Sequence, residues 1–169
     1  MSGELPATLK MATLWLLIGV AVFLSFQWWQ REQTRLQFSA AGDIIEIRRG
    51  RDGHYHWPGS LNGRSVEFLV DTGATGTAIP AALAEELGLE TIGRVQSSTA
   101  GGIVMGRVVR ADLELRGGVK ARHLRVVALP GLIDRPLLGM DVLGRLQWEQ
   151  RNSVMRIDLR GAGAAPSAR

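Results

Sequence analysis

Residues 66–79 read Val-Glu-Phe-Leu-Val-Asp-Thr-Gly-Ala-Thr-Gly-Thr-Ala-Ile, and within that run Asp71-Thr72-Gly73 holds the side chains able to do chemistry. Phe68-Leu69-Val70 has the pattern of a buried strand. The strand therefore delivers the Asp71 carboxylate to a partly dry place, where its charge is costly unless something compensates it. A turn aspartate capping a loop is the plain alternative. The more economical explanation is general acid–base chemistry by a pair of aspartates. The triplet occurs once in the 169 residues, so the second carboxylate has to come from a second copy of the chain.

Two further elements bear on this. Leu137-Leu138-Gly139-Met140-Asp141-Val142-Leu143 has two apolar residues before a glycine that opens a short helix. Asp141 there reads as a helix N-terminal acid and not as a catalytic group. Between the two motifs lies Thr99-Ala100-Gly101-Gly102-Ile103-Val104-Met105, a glycine-tipped hairpin whose plain reading is an ordinary turn. His54 and His56 alternate along one expected strand and share a face. With no third ligand near them in sequence they read as surface histidines, not a metal pair. Cysteine is absent, which excludes disulfides, thiol nucleophiles and thiolate metal sites.

Asp71-Thr72-Gly73, the hairpin and Leu137-Leu138-Gly139, in this order, resemble the retropepsin-like aspartic proteases, and in particular their bacterial membrane-anchored members. The resemblance covers roughly residues 53–159. It implies a mainly β fold, a closed barrel-type acid protease domain with one or two short helices. It implies Asp71 as the catalytic residue, Thr72, Gly73 and Ala74 as its supporting loop, and Thr99, Ala100, Gly101, Gly102 and Ile103 as a mobile flap. Leu137, Leu138 and Gly139 match the family's second structural motif. The resemblance also implies a homodimer, a peptide or protein substrate and peptide-bond hydrolysis with no cofactor and no metal. A non-catalytic peptide-binding or dimerisation module on the same fold is the alternative.

The elements that must position these residues are short. Asn62-Gly63 is a hairpin turn signal, and it returns the chain through Val66–Val70 to Asp71. Pro80–Leu87 reads as a helix, with proline in its first turn and Gly88 as its stop. Strands are expected over 94–98, 103–109, 111–115, 119–122, 124–129 and 154–159, and a short helix over 141–146. Trp57 and Trp148 read as packing residues.

Outside the protease-like domain (53–160), the chain divides into an N-terminal tail (1–10), an apolar run (11–29), a charged spacer (30–52) and a low-complexity tail (161–169). The run from Met11 to Trp29 carries no charge. As a helix it would span roughly 28 Å, close to the ~30 Å hydrocarbon thickness of a bilayer, and Trp28 and Trp29 suit a membrane interface. It is expected to be a single transmembrane anchor that contacts lipid and not a cleaved signal peptide, since Ser25-Phe26-Gln27-Trp28-Trp29 offers no small-x-small cleavage site and Ser39-Ala40-Ala41 lies far downstream. The arginines after the run argue for a cytoplasmic domain. The family resemblance argues for an extracytoplasmic one on a bacterial inner membrane. The formal charge of +4 comes mostly from scattered arginines, with no basic run interleaved with aromatics, so nucleic acid is not an expected partner.

Overall fold

The computed structural model describes residues 11, 15–25, 35–38, 44–99, 101–132 and 135–160. Ala100 of the expected flap, the tails 1–10 and 161–169, and parts of the expected anchor (12–14 and 26–29) lie outside the described residues. The chain divides into two units, residues 1–33 and 34–169. In the first, residues 15–25 are helical (α1), with Trp15, Leu16, Leu17 and Phe23 exposed. Among the described residues, no helix is long and apolar enough to cross a membrane.

The second unit is built almost wholly of strands. In chain order these are β1 (Arg35–Phe38), β2 (Ile44–Arg48), β3 (Tyr55–Leu61), β4 (Arg64–Val70), β5 (Ala78–Pro80), β6 (Thr91–Thr99), β7 (Gly102–Leu115), β8 (Val119–Leu129), β9 (Leu137–Leu138), β10 (Gln147–Arg151) and β11 (Val154–Asp158). Two short helices interrupt them, α2 (Ala81–Glu86) and α3 (Met140–Leu143). The larger sheet runs β1-β8-β5-β9-β4-β3-β7-β6, and an additional β7–β8 pairing closes its middle six strands into a barrel. Closure pairs the edges of those six strands with each other and leaves β1 and β6 as the outer strands of the sheet. A smaller sheet, β10-β11-β2, draws on residues 44–48, which the sequence places in the spacer.

Alternation explains which residues fill the barrel. Along β3 and β4 the register pairs Trp57 with Phe68 and Leu61 with Arg64, and period-two geometry sends one residue in two inward. Trp57, Leu61, Phe68 and Val70 are buried with Ile79, Leu113, Leu115, Val119, Leu138 and Leu143 in one core. The Trp57 indole N–H donates to the Arg116 carbonyl at 2.9 Å, so its polar atom is satisfied inside. Trp148 is half-buried and packs against this core. The Asn62-Gly63 turn is formed as expected, both residues having positive φ.

Several expected boundaries shift. The break expected at Arg110 is absent, that residue pairing regularly with Arg125 inside the continuous strand β7, and the break at His123 is a bulge inside the continuous strand β8. The register shifts between Ala111 and Leu113, and His123 takes a φ of 53°. Asp112 holds this distortion: its carboxylate accepts from the His123 backbone N–H at 2.8 Å and from Arg122 Nη1 at 2.9 Å. Helix α2 begins at Ala81, with Pro80 as its cap residue at φ −55° and ψ 136°. Residues 144–146 finish α3 as a turn and not as helix.

The Asp112 carboxyl is held below its ordinary value, first by the His123 N–H and then, against a burial effect of opposite sign, by Arg122. A depressed carboxylate stabilises the fold above its unfolded value and loses that contribution as pH falls through its folded value. Asp112→Asn is therefore expected to cost less than about 1 kcal/mol near neutrality, because the pair is solvent-screened. The gap to the parent should narrow below about pH 4, as read by denaturant unfolding at pH 7 and pH 3.

Candidate active site

Asp71 stands one residue past β4, where the backbone leaves the sheet. Its N–H donates to the Leu138 carbonyl at 3.0 Å, extending the parallel β4–β9 pairing in which Leu69 lies beside Leu137 and Val70 beside Leu138. That ladder fixes where the carboxylate emerges. Val70 and Leu138 turn into the core, whereas Leu69 and Leu137 are only half-buried and, by period two, share the face of Asp71. The site thus has an apolar floor next to its acid.

Gly73 donates its N–H to Asp71 Oδ1 at 2.9 Å, and Ala74 donates to the Asp71 carbonyl at 3.3 Å. The first contact orients the carboxylate through the backbone, with no side chain involved. Asp71 and Ala74 are half-buried; Thr72 and Gly73 are exposed on the outside of this single chain.

The loop is locked to the second motif behind it. Met140 N–H donates to the Ala74 carbonyl at 2.9 Å and Asp141 N–H to the Thr75 carbonyl at 3.1 Å. Thr77, fully buried, donates its hydroxyl to Asp141 Oδ1 at 2.8 Å and accepts the Gly139 N–H at 3.3 Å. The same Asp141 oxygen accepts from Val142 N–H at 3.0 Å. Asp141 is therefore the helix-start acid expected from sequence, and it is also the partner of a buried hydroxyl. A buried hydroxyl that both donates and accepts is fully used.

Gly139 has an ordinary φ of −93°, so its need for glycine is one of space. A Cβ there would lie 2.5 Å from the Gly76 carbonyl oxygen and overlap the Gly76 backbone. The two loops pass backbone against backbone.

The structure brings Asp71, Thr72, Gly73, Ala74, Leu137, Leu138 and Gly139 together. It places the expected flap elsewhere on the sheet, as the hairpin joining β6 to β7. Thr99 pairs with Gly102, the Thr99 hydroxyl donates to the Gly102 carbonyl at 2.8 Å, and Gly102 has a φ of 109°. Ile103 and Met105 are exposed on one face of this hairpin; Val95, Ser97 and Val104 on the other are half-buried. Thr77 is the site residue that sequence reasoning missed. Its signal was a hydroxyl residue opening the apolar strand Ala78–Pro80.

The clamp sets an expectation for stability. Thr77→Val keeps the shape but strips Asp141 and Gly139 of their partner, and is expected to cost about 1–3 kcal/mol. Gly139→Ala should cost a similar amount by forcing the loops apart. Denaturant midpoints of the two variants against the parent would measure both.

Residues 57–145 match the model of the family described as "gag-polyprotein putative aspartyl protease". An uncharacterised protein from the cobV 5′ region of a Sinorhizobium species is 29% identical over 118 residues, 67% of this chain and 51% of the relative. The chain thus spans about half the length of that curated relative. Among solved structures, a retropepsin-like aspartic protease from Rickettsia conorii superposes with a TM-score of 0.53 at 22% identity, covering 75% of this chain and 93% of that one. The superposition shows a shared fold, and the family match spans both Asp71-Thr72-Gly73 and Leu137-Leu138-Gly139. On these grounds the chain belongs to the gag-polyprotein aspartyl protease family and has a retropepsin-like fold.

Proposed function

We propose that this chain is an aspartic endopeptidase, active as a homodimer, with Asp71 of each copy supplying half of the catalytic pair. The observation that carries the proposal is the geometry of Asp71. Its carboxylate is oriented by the Gly73 N–H at 2.9 Å and held on a loop whose Thr72 and Gly73 face outward from the chain. An isologous two-fold contact at this loop sets two such carboxylates against each other.

Two carboxylates that close do not both ionise, so they hold one proton between them. The ionised member takes a proton from a water positioned between the pair, and that water attacks the peptide carbonyl. The protonated member donates to the carbonyl oxygen as the tetrahedral intermediate forms. Thr72 of each copy bonds across to the other loop and keeps the carboxylates coplanar. The β6–β7 hairpin covers an extended peptide and limits water, and the substrate pairs through main-chain hydrogen bonds.

The same proposal includes a membrane anchor at residues 11–29 and an extracytoplasmic protease domain. Its support is the absence of charge across that run and the family resemblance. Confinement to a bilayer raises the effective concentration for pairing.

Asp71→Asn is expected to leave a folded dimer whose turnover of a diverse peptide library falls by at least about 100-fold. Circular dichroism and sedimentation would verify the fold and the dimer. Undiminished cleavage by the variant would sink the assignment. The parent should show a bell-shaped pH profile with a mildly acidic optimum, inhibition by a statine-type mimic and indifference to EDTA. A verified dimer that cleaves nothing across the pH range would instead favour the non-catalytic binding module.

A further inference from the structure

Arg135 stands two residues before Leu137, and it is held by side chains that take no part in the acid–base chemistry. Its Nη1 donates to His56 Nδ1 at 2.9 Å and lies 3.3 Å from Glu67 Oε2. His56 Nε2 in turn meets Asp52 Oδ2 at 2.8 Å. Arginine only donates, so Nδ1 of His56 accepts and the ring proton sits on Nε2, facing Asp52. One terminal nitrogen thus fixes the guanidinium. Among the described residues, its Nε and Nη2 meet no acceptor.

Strand register puts this group beside the proposed catalytic floor. His56 pairs with Leu69, and Leu69 with Leu137, so the three form a row across the sheet. Glu67 precedes Leu69 by two residues and Asp71 follows it by two, which places all of them on one face. The Leu69 N–H donates to the Pro136 carbonyl at 2.8 Å, so the pairing runs on past β9 towards Arg135. The face therefore reads in order: the Asp71 carboxylate, the half-buried Leu69 and Leu137 with His56 beside them, and then Glu67 and Arg135, which with His56 form a rim.

Steps along this face are ~6.6 Å per two residues, the same repeat with which an extended peptide presents side chains on one side. We propose that Arg135 is a specificity-determining residue that receives an acidic side chain of the substrate. That side chain lies two residues beyond the one resting on Leu69 and Leu137. The inference rests on the peptidase reading above.

The sign of the preference follows from what each rim group has left to offer. Glu67 Oε2 is already turned to Arg135, at 3.3 Å. Arg135 keeps two nitrogens, which present the planar fork that matches a carboxylate. A lysine at that substrate position meets a like charge, and repulsion is as much a part of selection as attraction. Because Arg135 and Glu67 are both about half exposed (49% each), the discrimination is modest. In a two-fold dimer the preference applies at mirrored positions on both sides of the scissile bond.

The test uses the full chain and matched peptides with an apolar residue at the cleavage point and Glu, Gln or Lys at the third position from the scissile bond. The expected result is a kcat/KM for the Glu peptide about tenfold above that for the Lys peptide. The ratio should collapse in Arg135→Gln, invert in Arg135→Glu and survive in part in Arg135→Lys. Binding of the same peptides to Asp71→Asn, followed by fluorescence anisotropy, should show the same order without turnover. Equal handling of Glu and Lys by the parent, or a preference unchanged in Arg135→Gln, overturns the proposal. Cleavage without charge preference sinks only this inference. Charge-selective binding by a parent that never cleaves supports it and removes the peptidase reading.

Discussion

Everything at this site depends on one close approach, that of Gly139 to the backbone of Gly76. Two loops from distant parts of the chain cross there without a side chain between them, and each completes the other's hydrogen bonds. Met140 and Asp141 donate to the carbonyls of Ala74 and Thr75, while Thr77 bridges Asp141 and Gly139. A loop with φ and ψ fixed by so many partners costs little further entropy to hold in place. The Asp71 carboxylate is then oriented by a single N–H, from a loop already held by these bonds. Rigidity is supplied from behind, and the front is left open.

The residues most legible from sequence were those whose types are poor at anything else. An acid after Phe68-Leu69-Val70, with a glycine two residues later, has few structural uses, so Asp71 and its loop stood out. Asn62-Gly63 and Gly101-Gly102 were equally readable because positive φ selects glycine and asparagine. Continuity was harder to see. Arg110 and His123 interrupt an apolar pattern, and an interrupted pattern reads as two strands. The structure carries Arg110 in regular pairing with Arg125 and absorbs His123 in a bulge, where Asp112 on β7 reaches His123 and Arg122 on β8, a pairing between strands that no local window contains.

Thr77 and Arg135 were missed for a related reason. A threonine at the start of an apolar strand is unremarkable until Asp141, 64 residues on, is known to lie 2.8 Å away. Arg135 reads as part of a turn with Pro136, and the role given to it depends on His56, 79 residues earlier. Spacing within a motif is local information. Partnership across a barrel is set by register, which follows from how the six strands close and not from any one of them.

Strand β7 runs unbroken for 14 residues, from the tip of the β6–β7 hairpin into the barrel wall. Its pairing with β8 begins at Arg107, and just before that point Gly106 is pressed against Val127 and Leu129. The partner strand β6 has its own irregularity at the same end, between Thr91 and Gly93. A hairpin built this way is rooted in the core packing and not on a flexible hinge. Any swing of it away from the barrel bends a continuous strand at a glycine, so its movement is coupled to the mechanical stiffness of the barrel itself.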